Sequence, residues 1–347
     1  MQNKIRVAIF ATAAIIIFYT SLSQVEQILR ASTRTRFYKG INKVQTTPTT
    51  STVPQTTVFA KSKAEPYNEN RKHLEEYENR RQHVLSVCGN SKKLKATDKV
   101  LDKLLVDTKH KVVLCDIPKV VSTNFRRLFL IFAGLNESIA RTAFFHDINK
   151  KFTNKYLRFL KSFNNSERET IMSDYFKFIF VRDPLDRLIS AYKCRFVLTH
   201  SWEYHKIGPE IVKRFRPKDV KLYGKDSNKG VTFEEYFKYI LNLGKNLHTF
   251  NPSNQHWRPY HTNCSPCGVS YDFIGKQETM KEDVKYVLDK IGESNVTFPS
   301  SSHFKPSNTA GKYKTKEQYL SSVSLETLNE IFKLYDRDYD LFGYSHT

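Results

Sequence analysis

The chain has 347 residues and carries 56 Lys and Arg against 35 Asp and Glu, so its formal net charge is +21. Hydrophobic residues make up 39% and aromatic residues 13%, which excludes a wholly disordered chain. The positive charge indicates an anionic partner, and composition leaves open nucleic acid, an acidic lipid surface, an acidic glycan or a phosphate-bearing cosubstrate.

The N-terminal segment predicts a membrane anchor. Residues 7–22 are a stretch of 16 residues without charge, and the basic residues of segment 1–6 precede it. A spanning helix usually needs about 20 residues, but thin early-secretory membranes accept a shorter span. We expect 1–6 in the cytosol, 7–22 as a signal-anchor and the rest in the lumen. A cleaved signal peptide, with Ser21 and Ser23 near the cut, is the alternative.

A lumenal stem is predicted for residues 23–85. Thr46–Thr57 is rich in Ser, Thr and Pro, which is typical of an O-glycosylated stalk. Lys61–Arg81 is highly charged and predicts a solvated linker or surface helix. Residues 86–347 then have the length of one domain or a closely fused pair.

Sequons give the lumenal address weak support. Asn136, Asn164 and Asn295 are predicted glycosylation sites. A fourth sequon, Asn263, lies next to Cys264 and is expected to be the least used.

Three strand–helix units predict an α/β domain with a central parallel sheet flanked by helices. Lys111–Ile117, Phe176–Val181 and Tyr271–Ile274 are short apolar runs typical of buried strands. Each is followed by apolar residues at the 3.6-residue helical period. Pro184 is expected in the first turn of the second helix.

The segment Asp116–Arg127 predicts a phosphate-binding loop. It places Lys119, Ser122 and Thr123 between a strand and a helix, where N–H groups, hydroxyls and a cation can face an anion. Either hydroxyl residue can also cap the helix. The Walker A spacing is absent, and an ordinary strand–turn–helix with a surface lysine is the alternative.

A second candidate site follows the next strand. Arg182 and Asp183 leave that strand, and Ser190 lies one to two turns into the helix. Arginine suits forked recognition of phosphate, so the two loops could hold both ends of one nucleotide. A structural ion pair at the helix start is the alternative for Arg182 and Asp183.

Taken together, these segments resemble the Golgi carbohydrate sulfotransferases. Pro118–Arg127 is similar to their 5′-phosphosulfate loop and Arg182–Tyr192 to their 3′-phosphate motif. The pattern is most similar to the chondroitin/dermatan 4-O-sulfotransferase and natural-killer-epitope sulfotransferase branch. Further matching segments are His256–Trp257, Cys264–Cys267, Tyr271–Thr279 and Tyr335–Tyr344. The first loop departs from the common pattern at Val121, Ser122 and Phe125, where the family often has Gly or Ala, Cys and Trp.

This resemblance implies a P-loop-like sulfotransferase domain that uses 3′-phosphoadenylyl sulfate (PAPS) and requires no metal. It implies a type II Golgi membrane protein with an acidic glycosaminoglycan acceptor, most specifically the 4-hydroxyl of GalNAc in chondroitin or dermatan. Sulfation of another glycan, or heparin binding without catalysis, is the alternative. A nucleic-acid partner is not expected, and the oligomeric state stays open. The implied cosubstrate-binding residues are Lys119, Val120, Val121, Ser122, Thr123, Asn124, Phe125, Arg182, Asp183, Pro184, Arg187 and Ser190.

Catalytic roles are implied for three residues. Lys119 would neutralise charge on the leaving oxygen. His146 is the first choice of base, because related uronyl 2-O-sulfotransferases have a base histidine in the same interval and histidine can take a proton near neutral pH. His256 is the second choice and could instead bind the acceptor.

Two other patterns have alternative interpretations. His256, His261, Cys264 and Cys267 form a compact zinc-ligand set, although a lumenal address favours disulfides. The five cysteines are odd in number, so at least one thiol is free or intermolecular. Lys206–Lys229 is strongly basic and is either a solvated loop or a surface that attracts a polyanion.

Overall fold

A computed structural model describes residues 65–89, 98–197, 207–219, 230–249, 254–299 and 314–346. The predicted tail, anchor and most of the predicted stem lie outside these ranges. None of the helices within the ranges is long and apolar enough to cross a membrane.

A mixed sheet of five strands lies at the centre. The strands are β1 (Leu104–Asp107), β2 (Val112–Cys115), β3 (Arg158–Phe159), β4 (Phe176–Val181) and β5 (Phe273–Lys276), in the order β3-β1-β2-β4-β5. The strands β2, β4 and β5 are parallel, as predicted. The prediction of a purely parallel sheet is wrong for β1, which runs antiparallel to both β2 and β3. A short hairpin joins β1 to β2. Because β1 has only four residues, its sequence gives little periodic signal, and the strand is not predicted.

Helices surround the sheet. Those in the described ranges are α1 (Glu65–Cys88), α2 (Asp98–Leu101), α3 (Ser122–Phe132), α4 (Glu137–Thr142), α5 (Phe145–Asp147), α6 (Thr153–Tyr156), α7 (Asn165–Asp174), α8 (Pro184–Tyr192), α9 (Ile207–Phe215), α10 (Phe233–Leu243), α11 (Tyr260–Cys264), α12 (Met280–Lys290), α13 (Lys316–Leu320) and α14 (Leu325–Phe342). Two π-helical turns, Ile148–Phe152 and Lys193–Val197, continue α5 and α8.

Both faces of the sheet are buried, which explains why its strands are continuous apolar runs. Along β4, Phe178 and Phe180 point towards α3 and α12, while Ile179 and Val181 point towards the opposite core. Gly275 of β5 lies against the Phe180 ring, where a Cβ atom would approach within 2.4 Å. A separate helical core joins α8, α10 and α14.

The helix α1 packs on this domain although it lies almost wholly within the range 23–85 that the sequence assigns to the stem. Tyr77, Val84 and Cys88 are buried. Arg80 donates to the carboxylate of Asp283 over 2.7 Å, and Asp283 is completely buried. This packing is not predicted because the few apolar residues of the helix are dispersed among charged ones.

Two disulfides tie distant segments to each other. Cys88 at the end of α1 pairs with Cys267, and Cys115 at the end of β2 pairs with Cys264 at the end of α11. Their Cα–Cα distances are 5.4 and 6.0 Å. Cys194 is the free cysteine, so the expectation of an unpaired thiol from the odd count is met.

Removing the Cys115–Cys264 bridge is expected to lower the free energy of unfolding by about 2–5 kcal/mol, because the bridge closes a long loop in the unfolded chain. Its residues are 149 positions apart. The Cys115→Ala/Cys264→Ala variant should unfold at clearly lower urea concentration under non-reducing conditions. Cys194→Ser, which breaks no bridge, serves as the control. Equal midpoints for the double variant and the parent would contradict a stabilising bridge.

Candidate functional site

The two predicted motifs leave the sheet at the same edge. Cys115 and Ile179 are partners in the parallel ladder of β2 and β4. The chain continues from β2 into the loop 116–121 and from β4 into Arg182 and Asp183. The carboxyl ends of neighbouring parallel strands are therefore adjacent, which is where open α/β sheets bind ligands.

The first loop has an unusual backbone. Lys119 and Val121 have φ angles of 76° and 56°, in the left-handed region. Such a conformation is strained for a β-branched residue and is found mostly where function requires it. Val121 is the N-cap of α3 and makes no side-chain cap, so the prediction that Ser122 or Thr123 caps this helix is wrong. Both hydroxyl residues lie instead in the first turn, where helix N–H groups lack internal partners.

Packing anchors the rest of the first motif. Val120, Asn124 and Phe125 are buried. The Phe125 ring lies 4.7 Å from that of Phe180 and 4.9 Å from that of Phe298, between ring centres. These contacts favour the interpretation of Phe125 as an anchor of α3 over direct contact with an adenine ring.

The second motif is fixed through its backbone. The Tyr260 hydroxyl accepts from the Arg182 N–H over 3.0 Å and donates to the Arg182 carbonyl over 3.1 Å. Asp183 caps α8 by accepting from the Asp186 N–H over 2.8 Å, and burial raises the pKa of Asp183. Pro184 begins the helix, as predicted. Arg182 and Ser190 are half-buried.

Arg187 links the two motifs. Its side chain is 1% exposed and donates to the Pro118 carbonyl over 3.2 Å, next to Lys119. It also donates to the carbonyls of Arg258, over 2.9 Å, and Gln255, over 3.4 Å. The guanidinium therefore joins α8, the first loop and the segment 255–258.

The surroundings of Lys119 lower its pKa on balance. Burial lowers the pKa of Lys119, the hydrogen-bonded thiol of Cys194 raises it, and Arg195 and Arg182 lower it again. An anion bound beside Lys119 would offset this repulsion between cations. The local charge thus fits a negatively charged ligand.

His146 lies on an exposed segment that α3 holds in place. Arg127 donates to the Ala143 carbonyl over 2.7 Å, just before this segment. Arg126 donates to the Asp116 carboxylate over 2.9 Å and to the Asn149 carbonyl over 3.2 Å, just after it. His146 is exposed in α5. The two arginines of the first motif therefore connect the segment of the candidate base to the first loop.

His256 is buried and accepts a hydrogen bond at Nε2 from Arg195. Burial, and then the positive charges of Arg195 and Lys119, hold the pKa of His256 well below its ordinary value. A ring that is neutral and already bonded at Nε2 is a poor general base, so these features favour a positioning role. Neither Arg195 nor Tyr260 is predicted from the sequence, because each acquires its role through a contact between distant segments.

The lowered pKa of His256 makes a prediction about stability. Below about pH 6.5 this histidine is protonated in the unfolded chain but not in the folded chain. The free energy of unfolding therefore decreases as the pH falls. The cost is at most about 1.4 kcal/mol per pH unit. The free energy of unfolding is measured in urea for the parent and for His256→Gln at pH 7.5, 6.5 and 5.5. It should decrease more for the parent than for the variant as the pH falls. A constant difference would contradict this.

The zinc alternative is not supported. Cys264 and Cys267 form disulfides with two different partners, so their sulfur atoms do not share a metal. Within the described ranges, no group of three or more His, Cys, Asp and Glu side chains could hold a metal ion.

The predicted glycosylation sites are on the surface. Asn136, Asn164 and Asn295 are exposed, and the first two cap α4 and α7. Asn263 is completely buried and bonded to Arg258 through both side-chain atoms. Its burial agrees with the expectation that this sequon is the least used.

Comparison with known proteins covers the same region. A sequence profile of the sulfotransferase family matches residues 102–345. Carbohydrate sulfotransferase 14 of Danio rerio is 33% identical over 251 residues, 71% of this chain and 63% of that protein. Carbohydrate sulfotransferase 10 of Gallus gallus is 33% identical over 257 residues, 71% and 67% of the two chains. Carbohydrate sulfotransferase 11 of Mus musculus is 30% identical over 273 residues, 77% and 75%.

No solved structure matches the chain. The family profile nevertheless spans the five strands and both motifs at their carboxyl edge. The chain therefore belongs to the sulfotransferase family.

Proposed function

We propose that this protein transfers a sulfo group from PAPS to a hydroxyl of a glycan. The observation that carries the proposal is the bond from Arg187 to Pro118, which brings the loop of Lys119 against the helix that follows Arg182 and carries Ser190. Family membership supports PAPS as the donor. The relatives named above are carbohydrate sulfotransferases, which supports a glycan acceptor. The 4-hydroxyl of GalNAc in chondroitin or dermatan follows from the resemblance of the motifs.

The residues at the sheet edge fit such a donor. Lys119, Ser122, Thr123 and the first-turn N–H groups of α3 would hold the 5′-phosphosulfate. Arg182 and Ser190 would hold the 3′-phosphate, while Arg187 and Asp183 keep the two loops in position.

The reaction is a direct transfer. The acceptor oxygen attacks sulfur, and the bond from sulfur to the 5′-phosphate oxygen breaks with its electron pair going to that oxygen. Lys119 neutralises the charge that grows there. His146 takes the proton of the acceptor hydroxyl.

The setting we propose is the Golgi lumen, with segment 7–22 as the anchor and the sulfotransferase domain on the lumenal side. The net charge of +21 attracts an acidic glycosaminoglycan. The basic stretch Lys206–Lys229 contains the helix α9. The last turn of α9 carries Lys213 and Arg214, and both are exposed. These cations would contribute to acceptor attraction.

Arg182→Ala is expected to weaken binding of adenosine 3′,5′-bisphosphate about 10- to 150-fold, since it removes a charge-assisted contact. Binding of 5′-AMP, which lacks the 3′-phosphate, should barely change. Titration calorimetry with both nucleotides measures this. Equal losses of affinity for both nucleotides would mean that Arg182 acts through the fold. Arg71→Ala, on the exposed surface of α1, is the matched control.

The function itself is tested with the purified lumenal domain, sulfate-labelled PAPS and desulfated chondroitin, followed by disaccharide analysis. Label on the 4-position of GalNAc supports the full proposal. Label on another hydroxyl or glycan corrects the acceptor alone. Binding of heparin without transfer would favour the non-catalytic alternative.

A further inference from the structure

Arg195 is a buried cation that the two known motifs do not include. It lies in the π-helical turn Lys193–Val197 that extends α8 beyond Ser190, and π-helical turns occur frequently at functional sites. The residue is 7% exposed and donates to Nε2 of His256. Burying a guanidinium costs free energy unless the charge is paired or hydrogen-bonded, in the free protein or with a ligand.

Contacts made by Arg187 and Cys194 place Arg195 close to Lys119. Arg187 joins the carbonyl of Pro118 to those of Gln255 and Arg258, so the segment that carries His256 lies against the first loop. On the other side, Cys194 is hydrogen-bonded to Lys119, and Arg195 is its neighbour in the chain. Arg195 and Lys119 are therefore close enough for their charges to interact.

Cations outnumber anions around His256, and the buried Asp116 carboxylate, which acts on Lys103, is paired with Arg126. The charged groups that act on His256 are Arg195, Lys119, Arg187 and Lys103, all of them cations. Arg195 and Arg182 likewise repel the charge on Lys119. Cations gathered in a partly dry site destabilise one another in the free protein and bind a multiply charged anion strongly.

We propose that Arg195 is a further catalytic residue, which binds the oxygens of the transferring sulfo group, and that His256 is the positioning residue that orients it. The inference rests on the proposed function. While sulfur passes from the phosphate oxygen to the acceptor oxygen, its three other oxygens stay attached and carry negative charge. Arg195 carries its N–H donors in a planar fork, a geometry that suits a group with several charged oxygens.

A neutral His256 suits this role. Its Nε2 accepts from Arg195, and a protonated ring could only repel the guanidinium. His256→Gln places an amide oxygen near the position of Nε2 and should keep most of the activity. His256→Ala leaves no acceptor and should behave like Arg195→Ala.

The first measurement is binding without turnover. Arg195→Ala should weaken binding of PAPS about 10-fold or more, while binding of adenosine 3′,5′-bisphosphate, which lacks the sulfo group, stays within about twofold. Arg195→Lys should recover only part of the PAPS affinity, because a single ammonium cannot make forked contacts. Equal weakening for both nucleotides would overturn a contact with the sulfo group.

The second measurement is kcat for sulfo transfer. Arg195→Ala and His256→Ala should each lower kcat on the order of 10²–10³-fold, and the double variant should be no worse than Arg195→Ala alone. Arg71→Ala, on the exposed surface of α1, is the arginine control. Independent, multiplying losses, or a His256→Gln variant as inactive as His256→Ala, would overturn the positioning role.

The two proposals fail in different ways. A parent protein that transfers no sulfo group from PAPS refutes the proposed function. A parent that transfers it, with an Arg195→Ala variant that keeps normal kcat and normal PAPS affinity, refutes the role of Arg195 alone. Thermal melts of each variant separate loss of function from loss of fold.

Discussion

Lys119→Ala is expected to lower kcat for sulfo transfer about 10³-fold. The ammonium group acts on charge that appears on the leaving oxygen as the bond to sulfur breaks, and such charge is stabilised most in a site that excludes water. Burial lowers the pKa of Lys119 in the free protein, so the arriving anion also helps to keep the side chain charged. Because the effect belongs to the transition state, kcat should fall much more than the affinity for adenosine 3′,5′-bisphosphate.

Steady-state kinetics on desulfated chondroitin and calorimetry with the bisphosphate give the two numbers. Lys290→Ala is the matched control, since Lys290 is exposed at the end of α12. Lys119→Arg keeps the charge with a different shape and should retain more activity than alanine. If Lys119→Ala loses affinity and keeps kcat, the lysine binds the donor uniformly and is not part of the chemistry.

His146→Ala is expected to lower kcat on the order of 10²–10⁴-fold, which is the usual contribution of a general base. A base must be neutral to accept the acceptor proton. The rate of the parent protein should therefore fall on the acid side of its pH profile. This acid limb should vanish in His146→Ala and persist in Lys119→Ala.

The profile of kcat against pH for these proteins tests the assignment. His83→Ala is the matched control. His83 is exposed on α1, and the bond described for its ring joins it to the Asp340 carbonyl. A His146→Ala variant with near-normal kcat and an unchanged acid limb would place the base elsewhere. Loss of the acid limb in His256→Ala would then assign the base to the buried histidine, whereas a lower kcat with the limb retained fits its positioning role.

Local patterns were sufficient for the elements that hold the site. The buried strands β2, β4 and β5 are recognisable as apolar runs, and Pro184 marks the start of α8. Lys119, Arg182 and Ser190 could be named because strand, loop and helix follow one another closely in the chain. Their meeting at one edge then follows from parallel pairing.

Features that depend on distant contacts could not be predicted. The hydroxyl of Tyr260 holds Arg182 across 78 residues of chain, and Arg195 meets His256 across 61. The cap of α3 is missed for a different reason. Val121 adopts a left-handed conformation that glycine normally occupies. A valine at this position therefore gives no sequence signal for the turn.

The two disulfides have a consequence for the order in which the chain matures. Synthesis produces Cys88, Cys115 and Cys194 first, and none of these three is the native partner of another. Every bridge that forms before Cys264 appears must therefore be non-native and must later be exchanged. The loop that begins after Cys115 reaches its final anchorage only when about three-quarters of the chain has been made, so assembly of the site is completed late in biosynthesis.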